Sequence, residues 1–174
     1  RIAAILDHPA CPIDSPYAEA LAAMVERLRR RGASVELARP LHVDLERMNL
    51  LFNLLVRAET STALDDDAFR TRMEIAGNAN VDATPEERVN ARGAVLRHRD
   101  CLLLHEERLR IGLAWQEFIL GYDALICPAA AGAAPPLDTR GSVAQRTIPV
   151  NGRDLPIVAQ HFWYALASLN GLPS

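Results

Sequence analysis

The chain contains no lysine: every one of its 19 basic residues is arginine. A lysine acting as catalytic base is therefore excluded within these residues, since arginine is effectively always protonated. Cysteine is scarce too, and Cys11, Cys101 and Cys127 show no paired spacing, which excludes a disulfide framework and points to a reduced, cytoplasmic setting. No apolar run approaches the roughly 18 residues a membrane span needs, so no membrane partner is expected. The formal charge of −3 leaves no basic surplus to neutralise phosphates, which argues against nucleic acid as a direct partner. The one basic cluster, Arg27 with Arg29, Arg30 and Arg31, precedes Gly32 and reads as a solvated helix end complementing the helix dipole. There is no internal repeat and no G-x-G-x-x-G after the first strand, so a β-α-β start is not evidence for a nucleotide site.

What is present suffices for one domain or segment spanning residues 1–174, with 49% hydrophobic content to build a core. The chain begins with Arg rather than Met, directly as a strand over Arg1–Leu6. It stops at Leu172-Pro-Ser174, just past a helix. Both ends read as boundaries inside a larger protein. A helix follows from about Pro16, with Ser15 as N-cap and Leu21, Met24, Val25 and Leu28 as one stripe; Gly32 ends it. Ala33–Leu37 is a second strand, giving a β-α-β unit with parallel strands and a right-handed crossover.

The stretch from Leu41 to about Ser61 is helical and apolar nearly all round, which predicts burial on more than one side. Asp65-Asp-Asp67 starts a short helix reaching Ala76, and residues 77–82 have the least ordered composition. Thr84-Pro-Glu-Glu87 is a helix start of N-cap, proline and acids. The helix it opens is predicted to run to about Leu120 with two apolar lines, Val95, Leu102, Leu109, Leu113 and Leu120 on one side and Leu104, Ile111, Trp115 and Phe118 on the other. Two lines predict a helix sandwiched between two layers. Asp123–Cys127 is a short buried strand, followed by a Gly/Pro/Ala loop over Ala129–Gly141. Two β runs flank the Asn151-Gly152 hairpin turn, with Pro149 and Pro156 confining them to an edge. A final helix covers Val158–Leu169, with Gly171 as its C′ residue. The fold class is α/β and helix-rich, beginning with β-α-β and ending with a hairpin and helix.

Few side chains propose chemistry. His98, Cys101 and His105 share one side of a helix with atom types that suit zinc, but they also border an apolar stripe, and the bland reading is preferred: no metal. Cys127 and His161 would make a nucleophile pair only if the fold joined them, and a strand-end cysteine is an ordinary core residue. Glu59 and Asp123 are the acids expected to be partly desolvated, as structural partners or as acid/base groups. Phe162, Trp163 and Tyr164 form the dense aromatic group, and neighbours about 100° apart on a helix cannot all enter one core.

The ordered series from His98 through Glu107 and Trp115 to Asp123-Ala-Leu-Ile-Cys-Pro128, then Arg146-Thr-Ile-Pro-Val-Asn-Gly152, His161-Phe-Trp163 and Ala167-Ser-Leu-Asn-Gly-Leu-Pro173 resembles the C-terminal half of amidase signature enzymes. That resemblance implies a large mixed sheet covered by helices and a hydrolase that cleaves a carboxamide through a serine acyl-enzyme, without metal or organic cofactor. It implies a Ser/cis-Ser/Lys triad in a segment upstream. None of the six serines here has a neighbouring serine or a Gly-Gly flank, so this chain supplies no catalytic residue. Carried over by position, the resemblance nominates Ala129, Val158, His161, Phe162 and Ala165 as substrate-binding residues. The partners it implies are a small-molecule amide and the N-terminal part of the same protein, and a homo-oligomer is compatible with it. Two alternatives stay open: the glutaminase subunit of a tRNA-dependent amidotransferase, and a non-catalytic interaction module.

Overall fold

The computed structural model describes residues 1–137 and 146–174. Three short parallel strands form the main sheet: β1 (Ile2–Ala4) lies between β2 (Val35–Leu37) and β3 (Ala124–Ile126), with Ile2 level with both Val35 and Ala124. The central strand is the one that is buried: Ala3, Ala4 and the following Ile5 are nearly inaccessible. β3 is an edge strand, and its half-exposed side chains correct the expectation of a buried one.

Helix α1 (Ser15–Arg30) makes the expected crossover and buries Leu21 and Val25, while Met24 stays in water. Its N-cap is Asp14 rather than Ser15, because Ser15 is used elsewhere. The Ser15 N–H and hydroxyl both donate to Oδ1 of Asn151, at 2.8 and 2.7 Å, and the Asn151 N–H donates to the Asp14 carboxylate at 2.8 Å. The start of α1 is thus tied to a hairpin far along the chain, a link local pattern could not reveal. Gly32, at φ +91°, closes α1 as read: the Ala33 N–H reaches the Leu28 carbonyl and the Gly32 N–H that of Arg29, a Schellman arrangement. Arg29 caps a neighbouring carbonyl, that of Val35, and pairs with Glu26, so the basic cluster is a helix end.

Helix α2 (Leu45–Thr60) is the axis of the molecule. Asp44 caps it by accepting from the N–H groups of Glu46 and Arg47, and it buries Leu45, Met48, Leu51, Leu54 and Leu55 against α4, α5 and α6. Burial on several sides was expected from its composition. Helix α3 (Asp66–Gly77) follows a one-turn 3₁₀ segment, capped by the Asp65 side chain on the Ala68 N–H. The stretch read as least ordered is held in place by Arg88, whose guanidinium donates to the carbonyls of Asn78, Ala79 and Val81.

The predicted single helix to Leu120 is two helices, α4 (Pro85–Ala94) and α5 (His98–Ile119). The sequence announced a helix start at Thr84, and there Thr84 and Glu87 form a complete capping box. The break at residues 95–97 has a packing cause. An unbroken rod of this span would be ~54 Å long, too straight for both α4 and the Trp115 end of α5 to lie on α2. At Gly93 the close approach is direct, since a Cβ there would stand 2.7 Å from the Arg57 Cβ and from the Leu54 carbonyl oxygen.

The sandwich expectation for this region fails for α5. Leu104, Ile111, Trp115 and Phe118 pack on the core, with Trp115 fully buried and its Nε1–H directed at the Met48 sulfur at 3.1 Å. The other line is bare: Leu102, Leu109, Leu113 and Leu120 are 56, 60, 66 and 86% exposed.

After β3 the chain is tied back by the Asp14 N–H to the Ala131 carbonyl and the Ala129 N–H to the Tyr17 hydroxyl. The end of the predicted 129–141 loop lies outside the described residues. β4 (Thr147–Val150) and β5 (Arg153–Pro156) form the expected hairpin, with Asn151 and Gly152 at φ 51° and 74°, the left-handed pair a type I′ turn requires. The last predicted helix is split: residues Ile157–Gln160 are 3₁₀, and α6 proper is His161–Ser168. Gly171, at φ 64°, is its C′ residue, with the Leu172 N–H on the Ala167 carbonyl.

Candidate functional site

On the inner faces of α2 two carboxamides, Asn49 and Asn53, stand one turn apart. They open onto a cleft of about 270 Å³ between α2, α4 and the 3₁₀ segment before α6, lined also by Leu50, Val89, Asn90 and Val158. Three carboxamides and an apolar floor share one small concavity. Their orientations are fixed by their bonds. Asn53 Nδ2 donates to the Asn49 backbone oxygen at 2.8 Å and to Asn49 Oδ1 at 3.1 Å, and a backbone oxygen can only accept, so Asn53 Oδ1 must face the other way. There it meets His161 Nδ1 at 3.0 Å. Nδ1 therefore carries the proton, and in the neutral ring Nε2 is left with a lone pair.

The ring is held neutral. Burial lowers the His161 pKa below its ordinary value, and the nearby Arg57 guanidinium lowers it further. Arg57 also donates to Asn90 Oδ1 at 2.7 Å, which commits that oxygen and leaves the Asn90 amino group as a donor. The cleft thus presents the amino groups of Asn49 and Asn90 as donors, their oxygens being taken by Asn53 and Arg57 and Asn53 being fixed in turn by His161. Such an array can hold a small neutral group that has a carbonyl acceptor and an apolar substituent.

Of the five nominated substrate-binding residues, only Val158 lines this cleft. His161 stands behind Asn53. Ala129 is exposed in the loop after β3, its N–H on Tyr17. Phe162 and Ala165, at 1 and 0% exposure, lie in the core, where the Phe162 ring stacks on His8 at 4.7 Å and meets Trp163 edge-on at 5.1 Å. The shared face read for positions 158, 161, 162 and 165 assumed one α-helix. The intervening 3₁₀ turn advances the chain about 120° per residue instead of 100°, so Val158 and Phe162 part company. Trp163 enters the core beside Phe162, and Tyr164, 39% exposed, is the aromatic that faces another environment, against Phe52 and His161.

Glu59 and Asp123 are not desolvated acids, with side chains 71 and 86% exposed; Glu59 lies 3.7 Å from His105. A half-buried acid is Glu107, which accepts from Nε and Nη2 of Arg47 at 2.7 and 2.6 Å. Its partner on α2 was not legible, although a glutamate on the inner side of a packed helix is itself a signal. Cys101 packs at the core margin, and among the described residues no group of three His, Cys, Asp or Glu side chains is placed to hold a metal ion. Burial pushes the Cys127 thiol up and that of Cys11 up to about 11, with the Trp163 indole opposing only in part, so neither is a ready thiolate.

A larger cleft of about 470 Å³ lies at the α4–α5 break, with Arg47, Arg92 and Arg97 above Leu54, Val95 and Leu104. Arg47 and Arg97 are already committed to Glu107 and Asp100. The smaller cleft, whose polar groups converge in fixed orientations, is the better-built site. No protein-family model matches the chain, and no curated protein matches it.

Proposed function

We propose that the chain supplies scaffold and pocket wall to a carboxamide hydrolase of the amidase signature kind, with the reacting groups contributed by a segment N-terminal to it. The observation that carries this reading is the cleft in which Asn49, Asn53 and Asn90 surround an apolar floor that includes Val158. A carboxamide offers one acceptor and two donors, the complement of side-chain amides held in fixed orientations. The ordered residue series from His98 to Pro173 supports the same reading. In the complete enzyme a lysine would take a proton through a bridging serine from the nucleophilic serine, and backbone N–H groups would hold the oxyanion. An acyl-enzyme would form with release of ammonia or amine, and water would then free the carboxylate. This chain has no lysine and no paired serine to run those steps.

Two measurements test the proposal. The chain by itself should show no hydrolysis of simple amides above background, while isobutyramide should shift the side-chain amide signals of Asn49 and Asn90 in NMR spectra and isobutyrate should not. Equal shifts from the acid and the amide, or none from either, would remove the cleft from consideration. Reproducible turnover abolished by Cys127→Ala would put the chemistry on the thiol instead. Upstream residues lacking a lysine followed by a Gly/Ser-rich run would end the hydrolase reading. The interaction-module alternative is favoured by one observation, the exposed leucines of α5.

A further inference from the structure

The break between α4 and α5 opens the second cleft, and its lining is charged mainly in one sense. The concavity of about 470 Å³ falls in the usual range of small-molecule sites, with walls from α2, α3, the end of α4 and the first turns of α5. Among its described residues three arginines, Arg47, Arg92 and Arg97, are accompanied by one acid, Asp100. Their pairings leave donors over. Arg47 uses Nε and Nη2 on Glu107, a fork that fixes the guanidinium plane and leaves Nη1 without a hydrogen bond. Arg97 uses Nε on Asp100 and keeps both terminal nitrogens. Arg92 makes no hydrogen bond or ion pair with any described residue. The start of α5 adds to this set: its N-cap, Arg97, provides no side-chain cap, and the first N–H to reach a carbonyl is that of Cys101, so those of His98, Arg99 and Asp100 stay open. Leu54, Val95, Leu103 and Leu104 supply the apolar part of the wall, and Leu103 is 48% exposed there.

We infer that this cleft binds a singly charged organic anion with an apolar tail, a medium-chain monocarboxylate. Charge selects the head group. Once Asp100 and the Glu107 that holds Arg47 are counted, the three arginines leave a surplus of one positive charge, which one carboxylate neutralises and a phosphate dianion exceeds. A guanidinium offers paired N–H groups that match the two oxygens of a carboxylate, and the open N–H groups at the start of α5 favour the same sign of charge. The apolar wall selects the tail, since methylenes laid against Leu54, Leu103 and Leu104 leave water, whereas a bare anion gains nothing from those side chains. The proposal stands apart from the amide reading, because no residue lines both clefts.

Hexanoate titrated into the chain and followed by NMR tests it. The expected result is a saturable shift of the backbone N–H signals of His98, Arg99 and Asp100 and of the Arg92 Nε–H, with the side-chain amides of Asn49 and Asn90 in the other cleft unmoved. Arg92 is exposed, so Arg92→Gln should keep the far-ultraviolet circular dichroism of the parent. It should weaken hexanoate by about tenfold or more, the loss of hydrogen bonds to a charged group. Leu103→Ser should weaken hexanoate and leave acetate unaffected. Hexan-1-ol, which has the tail without the charge, and acetate and inorganic phosphate, which have charge without the tail, should each bind more weakly than hexanoate. The absence of any saturable shift overturns the proposal, as does binding indifferent to Arg92→Gln. Hexan-1-ol equal to hexanoate would reduce the cleft to an apolar patch, and acetate or phosphate equal to it would reduce the cleft to a bare anion site; either result overturns the proposal. The amide reading is untouched by these outcomes, because it is read at Asn49 and Asn90.

Discussion

His161 joins stability to the candidate site through one proton. Its ring is half-buried, its Nδ1–H is committed to Asn53, and its pKa is lowered by burial and by Arg57. The unfolded chain, with an ordinary histidine pKa of about 6.5, binds a proton that the folded chain refuses. Stability should therefore be complete above about pH 6.5 and decline as pH falls from there through the folded pKa. His161→Gln, which can still donate to Asn53, should flatten that part of the curve without abolishing folding. Thermal denaturation of both forms from pH 7.5 to 5 reads the difference; parallel curves would mean that the imidazole titrates freely. The sequence singled the residue out chiefly through resemblance, as a nominated substrate-binding residue. Its bond to Asn53 joins residues far apart in the chain, which no local pattern encodes.

At the scale of elements, signals that are local in cause were legible. The capped helix start at Thr84, the aspartate start of α3, the Asn151-Gly152 turn and the two glycine C′ positions are each set by a few consecutive residues, and each stands where the sequence placed it. Signals set by packing were not. The α4–α5 break arises because Gly93 lets α4 lie directly on α2, and the 3₁₀ turn before α6 arises as the hairpin is joined to the core. The 3₁₀ turn has no residue of strong local preference to announce it, and a single glycine inside a long helical pattern is too weak a signal to place the break. The break makes a prediction. Gly93→Ala adds a Cβ 2.7 Å from backbone and side-chain atoms of α2, which should cost about 1–3 kcal/mol as overpacking despite alanine's better helix propensity. Urea denaturation measures it, and a stabilised variant would show that the two helices are free to move apart.

For the whole molecule, most of the core is one cluster drawn from α1, α2, α5, β4, α6 and the loop after β1, from Ile5 and Cys11 through Met48 and Trp115 to Ile148, Phe162 and Leu169. A small separate cluster of Ala4, Val25 and Val35 fills the space between α1 and the sheet. Such a core tolerates little displacement of α5 on α2, and the polar lock between those helices is the bidentate Arg47–Glu107 pair. The hydrogen bonds from Arg47 lower the Glu107 pKa, partly opposed by burial and reinforced by the charges of Arg47 and Arg110. A depressed carboxylate pKa stabilises the fold above the unfolded value of about 4.3, and that stabilisation is lost as pH falls through the folded value. Arg47 is 39% exposed, so water screens the pair and its worth is about 1 kcal/mol rather than that of a buried ion pair. Glu107→Gln should therefore be less stable than the parent at pH 6, and the two should converge as pH is lowered toward 3. This window lies below that of His161, so one pH series separates the two groups. Urea midpoints at pH 6, 4.5 and 3 decide the matter, and a constant difference across the three would assign the effect to lost packing rather than to charge.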